Sequence, residues 1–221
     1  NHAWKQRKRN ALEKIIRFTQ QELSDEKTGH DFQHVSRVAR LAETIIREDQ
    51  LPVDSFVVAA SAYLHDVIDD KVVDDVAAKI KGVHVLLQSL ECSKTDIEEI
   101  LHIIQNMSFS KEMSQSCEPL SLAGKIVQDA DRLEAIGALG ILRTAYYGGG
   151  KGHPIHDESI IPKVYTQKPE YRRGSTVINH FHEKLLLLPA RIHTDYARKL
   201  AFERKDFMEQ FLEQFHLEWN V

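Results

Sequence analysis

Apolar residues recur at the three- and four-residue spacing of an α-helix along nearly the whole chain. One such stripe consists of Val35, Val38, Ala42 and Ile45. It is typical of a helix that buries one face in a core. The run from Phe56 to Leu64 is apolar on nearly all sides, which predicts a central, buried helix. No alternation of apolar and polar residues is long enough to require a strand, so the pattern predicts an all-α protein.

The ends of the predicted helices follow from capping residues and from stretches that cannot continue a helix. Asp31 follows Gly29 and suits an N-cap, and Pro52 suits the first turn of a third helix. The polar segment 108–119 and the glycine- and proline-rich segment 148–174 are predicted loops. The first predicted helix ends near residue 24, and a fourth, which follows an acidic loop at 69–75, ends near residue 90. The others cover about 31–45, 52–64, 97–104, 120–134, 135–147, 175–188 and 192–215.

The length of the chain sets the expected organisation. A chain of 221 residues is long enough for one domain with a sizeable core. We expect a single all-α domain over 1–221. Its helical core would cover about 20–135, and a C-terminal helical part would cover about 136–221 and include the long loop 148–174.

Charge and composition exclude some partners. The formal net charge of −4 argues against a nucleic-acid polymer, because such binding usually needs a basic domain. No apolar run approaches the roughly 18 residues of a membrane span. The two cysteines, Cys92 and Cys117, are far apart and fit no close-spaced ligand motif, which suits a reducing compartment. These features predict a cytoplasmic protein whose partner is neither a membrane nor a nucleic-acid polymer.

Four polar residues lie at unusual places in this apolar pattern. His34 opens the second predicted helix, and Asp131 lies on a later apolar helix. His65 and Asp66 are adjacent at the end of the buried third helix. Each alone is most simply a hydrogen-bonded core histidine or a capping aspartate. Together they favour a metal site, because a metal ion satisfies buried imidazole and carboxylate groups at once.

The same residues carry a resemblance to a known family. The pattern of His34, the pair His65-Asp66 and Asp131 resembles the HD-domain metal-dependent phosphohydrolase superfamily, and the resemblance covers most of the chain. It implies an HD-domain helical bundle with a C-terminal extension. The segment 179–185 is similar to a small bacterial subgroup associated with nucleotide pyrophosphohydrolysis. The motifs that match are at 29–38, 62–67 and 128–133.

The resemblance and the ligand chemistry together predict one divalent ion. Two imidazoles and two carboxylates suit Mn²⁺, Mg²⁺, Fe²⁺ or Ni²⁺, with positions left for water and a phosphate oxygen. Asp69 and Asp70 continue the central motif and are similar to an acidic pair that orients or deprotonates water in nucleotide-hydrolysing members. In this chain the first of the two is Asp where the family has Glu, one methylene shorter. We expect Asp70 to handle the proton.

The predicted substrate is a small phosphorylated molecule, and on the subgroup resemblance a (deoxy)nucleoside triphosphate cleaved to monophosphate and pyrophosphate. The residues predicted to bind the phosphates are Lys184, Arg143 and Lys151, with Arg172 and Arg173 as further candidates. A nucleotidase, a phosphodiesterase and an alarmone hydrolase remain open within the enzyme class. From other classes, a metal or nucleotide sensor without turnover and a helical interaction protein also remain open.

Three further predictions concern histidines and aromatic residues. His30 is expected to brace the site or to hydrogen-bond its loop. His180 and His182 are two residues apart, so they cannot share a helix face, and one of them is expected to pack or to contact substrate. An aromatic stripe along the last helix is typical of a core or of a homodimer contact, and it contains Phe202, Phe207, Phe211, Phe215 and Trp219.

Overall fold

A computed structural model describes residues 2–164 and 175–221. Within these residues every regular element is helical and no strand occurs, so the all-α prediction is confirmed. The helices are α1 (His2–Glu22), α2 (Phe32–Asp49), α3 (Ser55–Leu64), α4 (Val76–Ser89), α5 (Lys94–Asn106), α6 (Phe109–Met113), α7 (Leu122–Glu134), α8 (Gly137–Gly150), α9 (Val177–Glu183) and α10 (Asp195–Trp219).

Helix α3 lies at the centre of the bundle, as its apolar composition predicts. It packs against α1, α2, α5 and α7, and seven of its ten residues are buried. Burial of this kind, at roughly 25 cal/mol per Å² of apolar surface, is the main stabilising contribution in a helical core. The last residues of α3 are therefore held by packing on several sides, and the polar pair that follows is carried into the interior.

Capping residues fix where the helices that carry the site begin. The Asp31 side chain accepts a hydrogen bond from the backbone N–H of His34 at 2.9 Å, as the sequence predicts for an N-cap. Asp54 caps α3 by accepting from the N–H of Phe56. Pro52 therefore lies before α3, and its predicted place in the first turn is wrong.

Two predicted loops are partly helical. In the segment 108–119, Ser108 caps the short helix α6, whose Phe109 is buried. In the segment 148–174, α8 continues to Gly150, although glycine disfavours helix by about 1 kcal/mol per residue. The reason is tertiary: a Cβ on Gly148 would lie 2.7 Å from Val177 Cγ2, so α9 packs directly on this glycine. Residues 165–174 lie outside the described residues.

The C-terminal part also differs from its prediction in detail. Helix α9 ends at Glu183, and two 3₁₀ turns follow, at Leu185–Leu187 and Pro189–Arg191. Lys184 has φ −141° and ψ −60°, outside the helical region, so the predicted single helix to residue 188 is interrupted there. Helix α10 packs on α2, α7 and α8 and extends to Trp219, beyond the predicted end. Three phenylalanines of its aromatic stripe, at 202, 207 and 211, are exposed.

None of the helices in the described part of the chain is both long and apolar enough to cross a membrane.

Candidate metal centre

Helices α2, α3 and α7 bring together the four side chains predicted as metal ligands. His34 Nε2 lies 3.1 Å from Asp131 Oδ1 and 3.5 Å from Asp66 Oδ2. His65 Nε2 lies 3.2 Å from Asp66 Oδ1 and 3.2 Å from Asp131 Oδ1. His34, His65 and Asp66 are buried, while the Asp131 side chain is partly exposed toward a cavity. Residues up to 97 positions apart in the chain therefore share one small polar volume.

The ring of His65 has one nitrogen without a partner. Its Nδ1 lies 2.6 Å from the Ala62 carbonyl oxygen, so Nδ1 carries the proton and donates it there. Its Nε2 is buried and makes no hydrogen bond of acceptable geometry to the described residues. A lone pair facing carboxylate oxygens needs a proton or a metal ion between them. Burial opposes charging of the ring, but Asp66 and Asp131 raise the pKa of His65 to about 10.

The pKa values of Asp66 and Asp131 also indicate that this centre needs a cation. Burial alone would raise the pKa of Asp66, but His65, His30 and His34 lower it. For Asp131, His65 and His34 outweigh burial, and the pKa lies well below its usual value. Both groups are therefore ionised next to imidazoles that must either bind protons or bind a metal. This donor set fits a divalent cation.

His30 joins the centre from the loop before α2. Its Nδ1 lies 3.1 Å from Asp66 Oδ2, and its ring meets the His34 ring edge-on at 6.1 Å. Two overlapping sets of side chains, each with ligand atoms within 4.8 Å of one another, could hold an ion. One set is His30, His34 and Asp66, and the other is His34, His65 and Asp131. The bond to Asp66 matches the expectation that His30 braces the site.

Glu134 supports His34 and was missing from the sequence-based prediction. Its Oε1 lies 3.3 Å from His34 Nδ1 and accepts a bond from Arg37 Nε at 2.6 Å. Burial would raise the pKa of Glu134, but the bonds from His34 and Arg37 lower it. A carboxylate on Nδ1 fixes the tautomer that leaves Nε2 free to bind a metal. Its position three residues after Asp131 on α7, hence on the same helix face, is the sequence signal that could have identified it.

Arg143, predicted to bind phosphate, donates instead to backbone carbonyl groups around the centre. Its Nε and Nη2 bond the carbonyl oxygen of Gly29 at 3.1 and 2.7 Å, and its Nη1 bonds that of Glu134 at 3.1 Å. Arg143 thus ties α8 to the loop that carries His30 and to the end of α7. Its role as a phosphate ligand stays a prediction.

A cavity opens directly beside the metal centre, and we name it the metal-side cavity. His65, Asp66 and Asp131 form part of its wall, and Asp69 and Asp70 lie next to them. Three lysines also line it, and they are Lys71, Lys111 and Lys184. Of these, the sequence identified only Lys184, because Lys71 and Lys111 lie on polar segments with no pattern of their own.

The remaining predicted phosphate ligands lie elsewhere. Lys151 is exposed at the end of α8, with its Nζ 5.8 Å from the centre of the Tyr147 ring, and it is not among the described residues that line the metal-side cavity. Arg172 and Arg173 lie outside the described residues. His180 lies on the inner side of α9 and His182 on its exposed side, on separate faces as the spacing requires.

Comparisons with known proteins agree on the family of this chain. A family model described as HD domain matches residues 31–136, which contain all four predicted ligands. The chain is also 40% identical over 202 residues to the Bacillus subtilis protein YpgQ, covering 91% of this chain and 90% of YpgQ.

Solved structures show the same relationship over the whole fold. A Lactobacillus plantarum protein of known structure is 38% identical, with a TM-score of 0.87 and coverage of 96% of this chain and 97% of that one. The structure of YpgQ in complex with ADP is 36% identical, with a TM-score of 0.75 and 97% coverage of both chains. An HD-superfamily hydrolase from Bacillus thuringiensis is 35% identical, with a TM-score of 0.73 and coverage of 97% and 99%. This chain belongs to the HD-domain family.

Proposed function

We propose that this protein is a divalent-metal-dependent hydrolase that cleaves nucleoside triphosphates to the monophosphate and pyrophosphate. The observation that carries the proposal is the buried, unpartnered Nε2 of His65 facing two ionised aspartates, at the wall of a cavity lined by three lysines. A centre of imidazole and carboxylate groups that can hold a cation, beside a cavity with three lysines, suits a phosphorylated substrate bound through a metal. The ADP complex of the related YpgQ supports a nucleotide as that substrate.

In this proposal His34, His65, Asp66 and Asp131 hold the ion. The ion would supply a Lewis acid that polarises a phosphoryl oxygen. His30 and Glu134 keep two of these ligands oriented through their bonds to Asp66 and His34. Lys71, Lys111 and Lys184 neutralise the phosphate chain in the metal-side cavity.

Asp69 and Asp70 are the proposed proton acceptors for the attacking water. Both line the metal-side cavity. Asp69 Oδ1 accepts the backbone N–H of Lys71 at 2.8 Å, and this bond holds Asp69 in a turn. We therefore assign the proton transfer to Asp70 and a positioning role to Asp69. Water adds to the α-phosphorus, the bond to the bridging oxygen breaks, and pyrophosphate leaves.

Phosphorus NMR of a deoxynucleoside triphosphate mixture, incubated with the protein and Mn²⁺, tests the proposal. We expect monophosphate and pyrophosphate in equal amounts, with ¹⁸O from labelled water in the monophosphate. Asp66→Ala should form neither product. Orthophosphate release would indicate a nucleotidase instead, and nucleotide binding without any product would indicate a sensor.

A further inference from the structure

A second cavity adjoins the metal-side cavity on the side of the C-terminal helices, and we name it the C-terminal cavity. The two share three wall residues, which are His30, Lys71 and Lys184. The two cavities therefore adjoin at these three side chains. The remainder of the C-terminal cavity comes from α8, α9 and the residues that flank them.

The two cavities differ in chemistry. The wall of the metal-side cavity contains four carboxylates and three lysines. The carboxylates suit a metal cation, and the lysines suit a polyphosphate. Apart from the shared wall, the C-terminal cavity is lined mainly by uncharged groups, among them Thr144, Tyr147, Val177 and Leu185. Two charged groups also lie in this wall: the guanidinium of Arg143 donates to backbone carbonyl oxygens, and the carboxylate of Glu183 accepts the backbone N–H of Lys163. Such a mixture of apolar surface and a few neutral hydrogen-bonding groups is typical of sites for uncharged organic groups.

His180 adds a neutral imidazole to this wall. Burial, together with smaller contributions from Lys184 and Lys71, lowers the pKa of His180 to about 3. At neutral pH its ring is uncharged, with one nitrogen as a donor and the other as an acceptor. A ring of that kind can pair with the heteroatoms of a nucleobase or with a ribose hydroxyl.

From this contrast we infer that the C-terminal cavity binds the nucleoside of the substrate, while the polyphosphate extends past Lys71 and Lys184 into the metal-side cavity. The inference rests on the proposed function for the identity of the substrate. It assigns base and sugar selection to Thr144, Tyr147 and His180, none of which touches the metal centre. It also places the α-phosphate near the shared wall and the pyrophosphate toward Lys111 and α6.

Binding measurements separate this inference from the question of turnover. With Mn²⁺ present, titration calorimetry would give the Kd of α,β-methylene ATP, which lacks the scissile oxygen bridge, and the Kd of inorganic tripolyphosphate, which lacks a nucleoside. We expect His180→Leu to raise the Kd of the nucleotide about tenfold and that of tripolyphosphate less than about twofold. Thr144→Val, which keeps the side-chain volume, should change the ratio of the two Kd values in the same direction.

Two control variants test whether the change in the ratio of Kd values is specific to the C-terminal cavity. Lys111→Ala, in the metal-side cavity, should raise both Kd values together, because it removes a phosphate contact. Thr95→Val, an exposed position on α5, should change neither. If both His180→Leu and Thr144→Val leave the ratio of the two Kd values unchanged, the inference is wrong. Failure of the proposed function would show differently, as an intact nucleoside triphosphate in the phosphorus NMR experiment.

Discussion

Two aspartates on α7, two residues apart, face different parts of the molecule. Asp129 faces the C-terminal segment and is fully buried. It accepts hydrogen bonds from the backbone N–H of His193 at 3.0 Å, and from the N–H and hydroxyl of Thr194 at 2.8 Å each. Asp131 faces α2 and α3, where Nε2 of His34 and Nε2 of His65 must either carry a proton to donate to it or share a metal ion with it.

The two carboxylates differ in the kind of group that they face. Burial raises the pKa of Asp129, and the hydrogen bonds from His193 and Thr194 oppose that rise. Its bonds attach the start of α10 to the core, so Asp129 contributes to stability. Asp131 has no backbone donor among its hydrogen bonds to the described residues and faces two imidazoles, so we expect it to contribute to metal binding rather than to stability. Substitution of each aspartate tests this division.

The largest effect is expected from removing the charge of Asp131. Asp131→Asn should abolish stoichiometric Mn²⁺ binding and lower kcat/KM about 10³-fold, because a Lewis acid supplies several kcal/mol to phosphoryl transfer. Metal analysis of the purified protein and steady-state kinetics would measure both. An Asp131→Asn protein that keeps one Mn²⁺ and wild-type activity would refute the assignment of this residue as a ligand.

The neighbouring Asp129 should affect stability instead. Asp129→Ala leaves buried N–H and hydroxyl donors without an acceptor, and we expect a loss of about 3 kcal/mol in the free energy of unfolding. Urea denaturation would measure it, with the exposed Asp74→Ala as a control within about 0.5 kcal/mol of wild type. The folded variant should still bind one Mn²⁺. Loss of metal affinity at native stability would contradict the division between the two aspartates.

A smaller effect is expected from Glu134, which acts on the metal through His34. Glu134→Gln keeps the side-chain shape but removes the charge that pairs with Arg37 and fixes the His34 tautomer. Affinity for Mn²⁺ should fall about 10- to 100-fold with the stoichiometry unchanged. Chelator competition would measure the affinity, and exposed Glu43→Gln on α2 is the matched control. If the affinity for Mn²⁺ does not change, Glu134 does not act on the metal through His34.

The smallest effect concerns the pH dependence of stability and the neutral His180. The pKa of His180 is about 3 in the folded protein, below the ordinary 6.5, so between these values the unfolded chain binds the extra proton. His180 therefore contributes stability above pH 6.5 that is lost as pH falls.

Urea denaturation between pH 7 and pH 5 would show this contribution. His180→Gln should reduce the slope of unfolding free energy against pH by at most about 1.4 kcal/mol per pH unit. The exposed His84→Gln is the control. An equal slope in wild type and His180→Gln would mean that folding does not lower the pKa of His180.

The spacing of apolar residues along the sequence predicted most of the helices. The apolar run of α3 and the stripe of α2 predicted their helices because a 3.6-residue period depends on neighbouring residues only. The exceptions needed distant residues. Gly148 stays helical because Val177 packs against it, and α6 forms within a polar segment where Glu112 pairs with both Arg132 and Arg191.

By itself, the sequence determined which side chains could form a metal centre, because imidazole and carboxylate at the end of an apolar helix are costly unless something compensates them. It likewise identified Asp69, Asp70 and Lys184, whose roles stay predictions. Only the tertiary structure decided what surrounds these groups. Glu134 reaches His34 across 100 positions of chain, and Arg143 reaches Gly29 across 114. Such contacts depend on how helices pack against each other, and no periodicity within a single helix records that packing.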